Sequence, residues 1–193
     1  MKRLLALFPI LILLACSTEK AQESAKIAEY FDLSGTLDSV VNDLLASGAS
    51  LRKTTEINDE KETVELNLTT EEDWKRQLEL FYEADINKVG LSGAYQTETL
   101  QAFDGIEKRI YSSIKSSSFV KNIECTFRDG KLFSIRILAS DKNLVYGSNL
   151  EYILHFNHFK SKMMLDHYSI KADEKMLFKG PLNLQVIADV ILD

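Results

Sequence analysis

The sequence predicts an α+β fold, with N-terminal amphipathic helices packed on a curved antiparallel β-meander. Three observations lead to it. Apolar residues recur twice at helical spacing before residue 85. Beyond Tyr95 the pattern changes to short runs rich in β-branched and aromatic residues, punctuated by turn dipeptides such as Asp104-Gly105 and Asp129-Gly130. The 193 residues are 45% hydrophobic and 27% charged, with two prolines and eight glycines. That composition suits one globular core and excludes a long low-complexity or collagen-like region.

The first helix is marked by Leu37, Val40, Val41, Leu44 and Leu45, spaced i, i+3, i+4, i+7, i+8 on one face. Gly48 is its expected C-terminal stop, and Ser34 or Thr36 its expected cap, with Ser34-Gly35 a point where it could split. "SLRKTTEI" and "ETVELNLT" follow as a hairpin with one wet face, joined through Asn58 to Lys61. A second helix is expected from Thr69, which stands three residues before Glu72 as in a capping box. Glu71, Glu72 and Asp73 favour its positive end, and Trp74, Leu78 and Phe81 form its apolar face.

The strand-rich part contains "VKNIECTF", "KLFSIRIL", "LEYILHF" and "MMLDHYSI", with further turns expected at Ser140 to Asn143 and at Asp173-Glu174. "IEKRIYSSI" fits helical spacing and alternation alike, and is read as strand because Asp-Gly precedes it. Residues 182–193 carry helical spacing at Leu184, Ile187 and Ile191 as well as β-branched content. Both readings stay open, with strand preferred. For the hairpin around Asp129-Gly130, aligning Ile123, Cys125 and Phe127 with Phe133, Ile135 and Ile137 calls for a three-residue loop and a bulge at Gly130. This places Cys125 in the core as an inert small hydrophobe.

The N-terminus carries the most specific signal. Met1-Lys2-Arg3 is a positive start, and Leu4 to Leu14 is an apolar run too short to span a bilayer, interrupted only by Pro9. Leu13-Leu14-Ala15-Cys16 ends it. The stretch resembles the bacterial lipoprotein signal, the lipobox. The resemblance implies that a diacylglycerol is attached to the Cys16 sulfur, that cleavage occurs before it, and that the new amino group takes a further acyl chain such as palmitate. Two or more chains make anchoring stable, because each buried methylene contributes about 0.8 kcal/mol. The resulting organisation is a signal peptide at 1–15, a lipidated tether at 16–25 and one domain at 26–193. Ser17 stands where an aspartate would imply inner-membrane retention, so the resemblance points to the outer membrane of a cell envelope.

"ADINKVGLSGAY", residues 84 to 95, resembles a stretch in uncharacterised lipoproteins of Bacteroidetes-type bacteria, where it follows a tryptophan-containing helix. Those proteins continue with segments like "NLVYGSNLEYILHF" and "HYSIKADEKMLFKG". Val89 departs from the proline expected there. The resemblance implies envelope location and carries no functional residue. At the level of fold alone, the pattern is similar to the open half-barrel of lipoprotein carriers.

Composition and motif content narrow the chemistry. The net charge is -6, and loss of Lys2 and Arg3 with the signal takes it to -8, a poor balance for holding nucleic acid. With Cys16 acylated, Cys125 is alone and no intrachain disulfide forms. Gly90-Leu91-Ser92-Gly93 lacks the lysine and third glycine of a phosphate loop, and no nucleophile elbow, Cys-x-x-Cys or His-Glu-x-x-His occurs. His155, His158 and His167, with Asp166, are the metal candidates. His155 and His158 fall on opposite faces of a strand, so ordinary strand-end histidines are expected and no metal or cofactor. The acidic clusters 59–62 and 71–73 read as a turn and a helix start, and the serines at 112, 113, 116, 117 and 118 as a solvated strand end. Trp74, Phe81, Phe103, Phe133 and Phe156 are expected in the core.

Three functional expectations follow. The first is a non-enzymatic, membrane-anchored envelope lipoprotein that binds or scaffolds an envelope protein partner. The second is a carrier with an apolar ligand or acyl chain under the sheet. The third is a hydrolase-type enzyme with a site near His155, His158 and His167.

Overall fold

The structure, a computed structural model, describes residues 29–159, 162–177 and 179–192. The expected signal and tether, with Cys16, lie outside the described residues. Nine strands form one antiparallel sheet: β1 (Ser50–Ile57), β2 (Glu60–Asn67), β3 (Tyr95–Gln101), β4 (Ile106–Ser113), β5 (Val120–Arg128), β6 (Lys131–Lys142), β7 (Tyr146–Phe159), β8 (Lys162–Met176) and β9 (Lys179–Ile191). Their order is β2-β1-β9-β8-β7-β6-β5-β4-β3, and the sheet is open. Its edges are β2 and β3. β2 is solvent-facing, and Glu60, Lys61, Glu62 and Glu65 make it a poor template for further pairing.

Helices α1 (Leu33–Ser47), α2 (Glu71–Gln77) and α3 (Glu79–Glu83) pack together, and α1 lies against β8. α1 buries Leu33, Leu37, Val40, Val41 and Leu44, so the predicted stripe starts one turn earlier, and its last member, Leu45, is half-buried. Its cap is Asp32, not Ser34 or Thr36. The Asp32 carboxylate accepts the Gly35 N–H at 2.9 Å, so Ser34-Gly35 form the first turn rather than a break. A Cβ at position 35 would come within 2.2 Å of that carboxylate, which explains the glycine. Gly48, at φ 67°, ends the helix as expected. α2 is capped one residue later than predicted. Thr70 accepts the Asp73 N–H and donates to the Asp73 carboxylate at 2.6 Å. Leu78, at φ −103°, separates α2 from α3.

The covered face of the sheet carries Leu51, Ile123, Cys125, Ile135, Ile137, Tyr152, Leu154, Tyr168 and Ala188. Trp74 and Phe81 descend onto it. Phe81 makes edge contacts with Tyr152 and Tyr168 at ring separations of 5.7 and 5.6 Å. The Trp74 indole donates to the Leu68 carbonyl at 3.2 Å. The opposite face is wet, crossed by ion pairs such as Arg52–Glu65 and Arg136–Glu151.

Four sequence expectations change. β6, β7, β8 and β9 are longer than the apolar runs that revealed them, and Asp173-Glu174 lie inside β8 instead of turning the chain. Residues 182–191 are strand, the reading preferred for them. The Asp129-Gly130 loop has two residues, both at positive φ, with Arg128 paired to Lys131. The apolar alignment is achieved by a bulge, since Thr126 pairs with Ser134 while Phe127 pairs with Leu132, leaving Phe133 as the extra residue. Cys125 therefore faces Ile135, and Ile123 faces Ile137. Finally, Trp74, Phe81 and Phe156 are core as expected, whereas Phe103 is almost wholly exposed in the β3–β4 turn and Phe133 is half-buried.

The turns divide between two ends of the sheet. One end carries the β1–β2 turn at Asn58-Asp59, the β4–β5 turn at 114–119, the β6–β7 turn at 143–145 and the β8–β9 turn at Leu177. Residue 29 enters here as well. The Glu29 carboxylate accepts the Gly93 N–H, and Tyr30 packs on Tyr95 and Tyr111 beside the start of β3. The other end carries the β3–β4, β5–β6 and β7–β8 turns and the end of α1.

Candidate functional site

Three places bring reactive or exposed groups together. At the entry end, Asn143 organises the β6–β7 turn. Its side-chain oxygen accepts from Val145 N and Tyr146 N at 3.0 and 2.9 Å, while its own N–H donates to the Tyr146 carbonyl. The backbone is thus satisfied locally, and Leu144 and Val145 project as the tip. The Leu177 N–H donates to the Val145 carbonyl at 3.0 Å, joining this turn to the next. Between them opens a cleft of about 510 Å³, walled by Lys142, Asp173 and Lys175, with buried Ser148 on its lining.

The second place is the predicted histidine group. His155 on β7 and His167 on β8 are direct cross-strand partners, stacked at a ring separation of 4.4 Å. Asp166 is bulged out of the β7–β8 pairing and lies 3.2 Å from the His167 Nδ1. Phe133, the bulged residue of β6, edges onto His155 at 5.8 Å, and the Arg128 guanidinium lies 4.2 Å above Phe133. His158 is not part of this stack and lines a shallow groove with Arg128 and Lys131. Among the described residues no group of three His, Cys, Asp or Glu side chains could hold a metal. Burial, and then the neighbouring His167, lower the pKa of His155.

The native state therefore takes up a proton at His155 less readily than the unfolded chain does. This contribution to stability is complete above the ordinary histidine value and is lost as the pH falls from there through the lowered native value. The expected result is a lower urea midpoint at about pH 5.5 than at about pH 7.5, with a smaller difference in His155→Gln. A difference unchanged in the variant would remove His155 as its source.

The third place is a surface hollow between α1 and α2. Lys75 bridges Asp38 and Glu71 at 2.9 and 2.8 Å, and the Tyr82 hydroxyl donates to Asp38. Hydrogen bonds to Glu71 and Asp38 raise the Lys75 pKa well above its ordinary value. Burial would raise Asp38, but bonds from Lys75 and Tyr82 bring it below the usual carboxylate range. Such a lysine stays charged and is no nucleophile, so the hollow is an ion-pair network.

Cys125 is fully buried, and burial pushes its thiol pKa up to about 12. It has neither the exposure nor the thiolate character of a nucleophile. The sequence reading missed the apolar tips at Leu144, Val145 and Leu177. For the first two the sequence offered only an apolar pair after the turn expected at Ser140 to Asn143, in a stretch given no element. No helix among the described residues is long and apolar enough to cross a membrane, which says nothing of crossing by strands. Compared with known proteins, the chain matches no family model and no curated sequence, so no site residue is supported by a relative.

Proposed function

We propose that the chain is a lipid-anchored protein of the cell envelope, held in the outer membrane through acylated Cys16, whose domain binds or scaffolds a partner without catalysing a reaction. The observation that carries this reading is the sequence Leu13-Leu14-Ala15-Cys16 behind a positive start and a short apolar run. The site geometry agrees with a non-catalytic role. Lys75 is locked in ion pairs and Cys125 is buried, which weighs against either as a nucleophile.

The runner-up is a carrier, in which the sheet curves as a half-barrel around an apolar ligand. Its ligand would need the space under the helices. Trp74, Phe81, Tyr152 and Tyr168 fill that space, each at most 1% exposed, which weighs against it. The hydrolase reading near His155, His158 and His167 is the least supported, because His158 lies apart from the stacked pair.

The test is expression with the native signal, comparing wild type with Cys16→Ala. Wild type is expected almost wholly in the detergent phase, with a mass increment of acyl chains on Cys16, and the variant without that increment. Equal partition together with an unmodified Cys16 would overturn the anchored reading.

A further inference from the structure

We infer that the entry end of the sheet is a membrane-contact surface, whose apolar turn tips sit in the interface of the bilayer that holds Cys16. The inference rests on the anchored reading for its choice of bilayer, and on the structure for its choice of surface.

Exposed apolar side chains are normal singly but informative when contiguous. Here Leu144 is 98% exposed, Leu177 66%, Ile114 57% and Val145 54%, with Phe119 and Met176 about two-fifths exposed. These six come from three neighbouring turns. The Leu177 N–H donates to the Val145 carbonyl, and the Ser140 N–H to the Phe119 carbonyl, so the turns form a row rather than scattered points. Two of the three turns are held by other side chains. The turn at 143–145 is held by the Asn143 side chain, and the turn at 114–119 is tied by Lys121, which donates to the Ser116 and Ser118 carbonyls.

The charges behind the tips are graded by depth. Lys142 and Lys175 both pair with Gly147, one step behind the tips, while Asp141 and Glu174 pair with Ser148, one step further back. Lys115 sits within the 114–119 turn itself. Apolar tips followed by a cationic row suit an interface where tips reach the acyl boundary and lysines lie at headgroup depth. The acidic Asp59-Glu60 turn lies on the same end but outside this row.

The anchor selects this end. Cys16 is separated from Glu29 by the twelve residues Ser17 to Ala28, a reach of at most about 45 Å even if fully extended. Glu29 is held at the entry end by Gly93. The fifteen residues of β8 make the sheet about 45 to 50 Å long, so the tether could barely carry the opposite end to the bilayer. That opposite end exposes Phe103, which supplies a control.

The experiment uses the full chain, expressed with its signal and reconstituted in phosphatidylethanolamine–phosphatidylglycerol vesicles. Leu144→Cys, Leu177→Cys and Phe103→Cys are each labelled with bimane, with the parent chain as labelling control, because buried Cys125 does not react. Quenchers on the lipid acyl chains are expected to reduce the 144 and 177 signals at least about twofold more than the 103 signal, and aqueous iodide to do the reverse. Mass spectrometry of the N-terminal peptide is read in parallel. Acyl-chain quenching at 144 beyond that of the labelled parent chain supports the surface whether or not Cys16 is acylated, and with an unmodified Cys16 it separates this surface from the failed anchor. Iodide access at 144 equal to that at 103 overturns the inference, even where Cys16 carries its lipid.

Discussion

Trp74→Ala is expected to lower the stability of the domain by about 3–5 kcal/mol, the range for deleting a large buried aromatic. The indole is fully buried. Its removal takes away contacts among α1, the helices that follow and the sheet, and also leaves the Leu68 carbonyl without the indole donor. A domain of this size has about 5–15 kcal/mol to lose, so the variant should be on the edge of unfolding. Trp74→Phe keeps most of the volume but not the hydrogen bond and should lose less. Urea unfolding followed by far-ultraviolet circular dichroism is the suitable measurement, because the only tryptophan is the one removed. A loss below about 1 kcal/mol would mean that the space under the helices relaxes around the substitution. That would also revive a cavity there.

A contrast of comparable size separates two residues that stand two apart on β6. Ile135→Asp places a carboxylate at a position with no exposure, opposite Cys125 and Leu154, and should cost more than about 4 kcal/mol or abolish folding. Phe133→Asp should cost only about 1 kcal/mol, because Phe133 is the bulged, half-buried residue, and Arg128 beside it can pair with the new carboxylate. Without the bulge, alternation would put both residues on one face and make both substitutions ruinous. Thermal melts of the two variants decide the matter, and equal destabilisation would place Phe133 in the core.

The same bulge shows what the sequence could convey. The demand that Cys125 and Ile123 meet apolar partners was legible, since alternation along both strands required it, and it holds. The device was not, because a loop of three residues and a two-residue loop with a bulge both bring apolar residues into line. Only the backbone at Asp129 and Gly130, both at positive φ, distinguishes them. Strand lengths were hidden for a related reason. The ends of β6 and β8 carry Asp141, Lys142, Asp173 and Glu174, polar residues that read as turns, yet the long sheet extends past its covered core, where three of them face solvent and Glu174 accepts from the Tyr146 hydroxyl. The helical stripe of α1 was legible because four of its five apolar positions are buried and Leu45 is half-buried, whereas its cap was misplaced by two or four residues, since Asp32, Ser34 and Thr36 are all competent acceptors. At the sites, the cross-strand meeting of His155 and His167 depended on a register that no local pattern encodes. The turn tips were invisible because exposure of an apolar residue leaves no trace in periodicity.

The strand order has a consequence for biogenesis. The meander from β3 to β8 can zip up hairpin by hairpin as it is synthesised, but the β1–β2 hairpin joins the sheet only through β9, the last of these elements to be made. An early hairpin must therefore wait for a pairing more than 120 residues away in sequence, the kind of distant closure that slows folding.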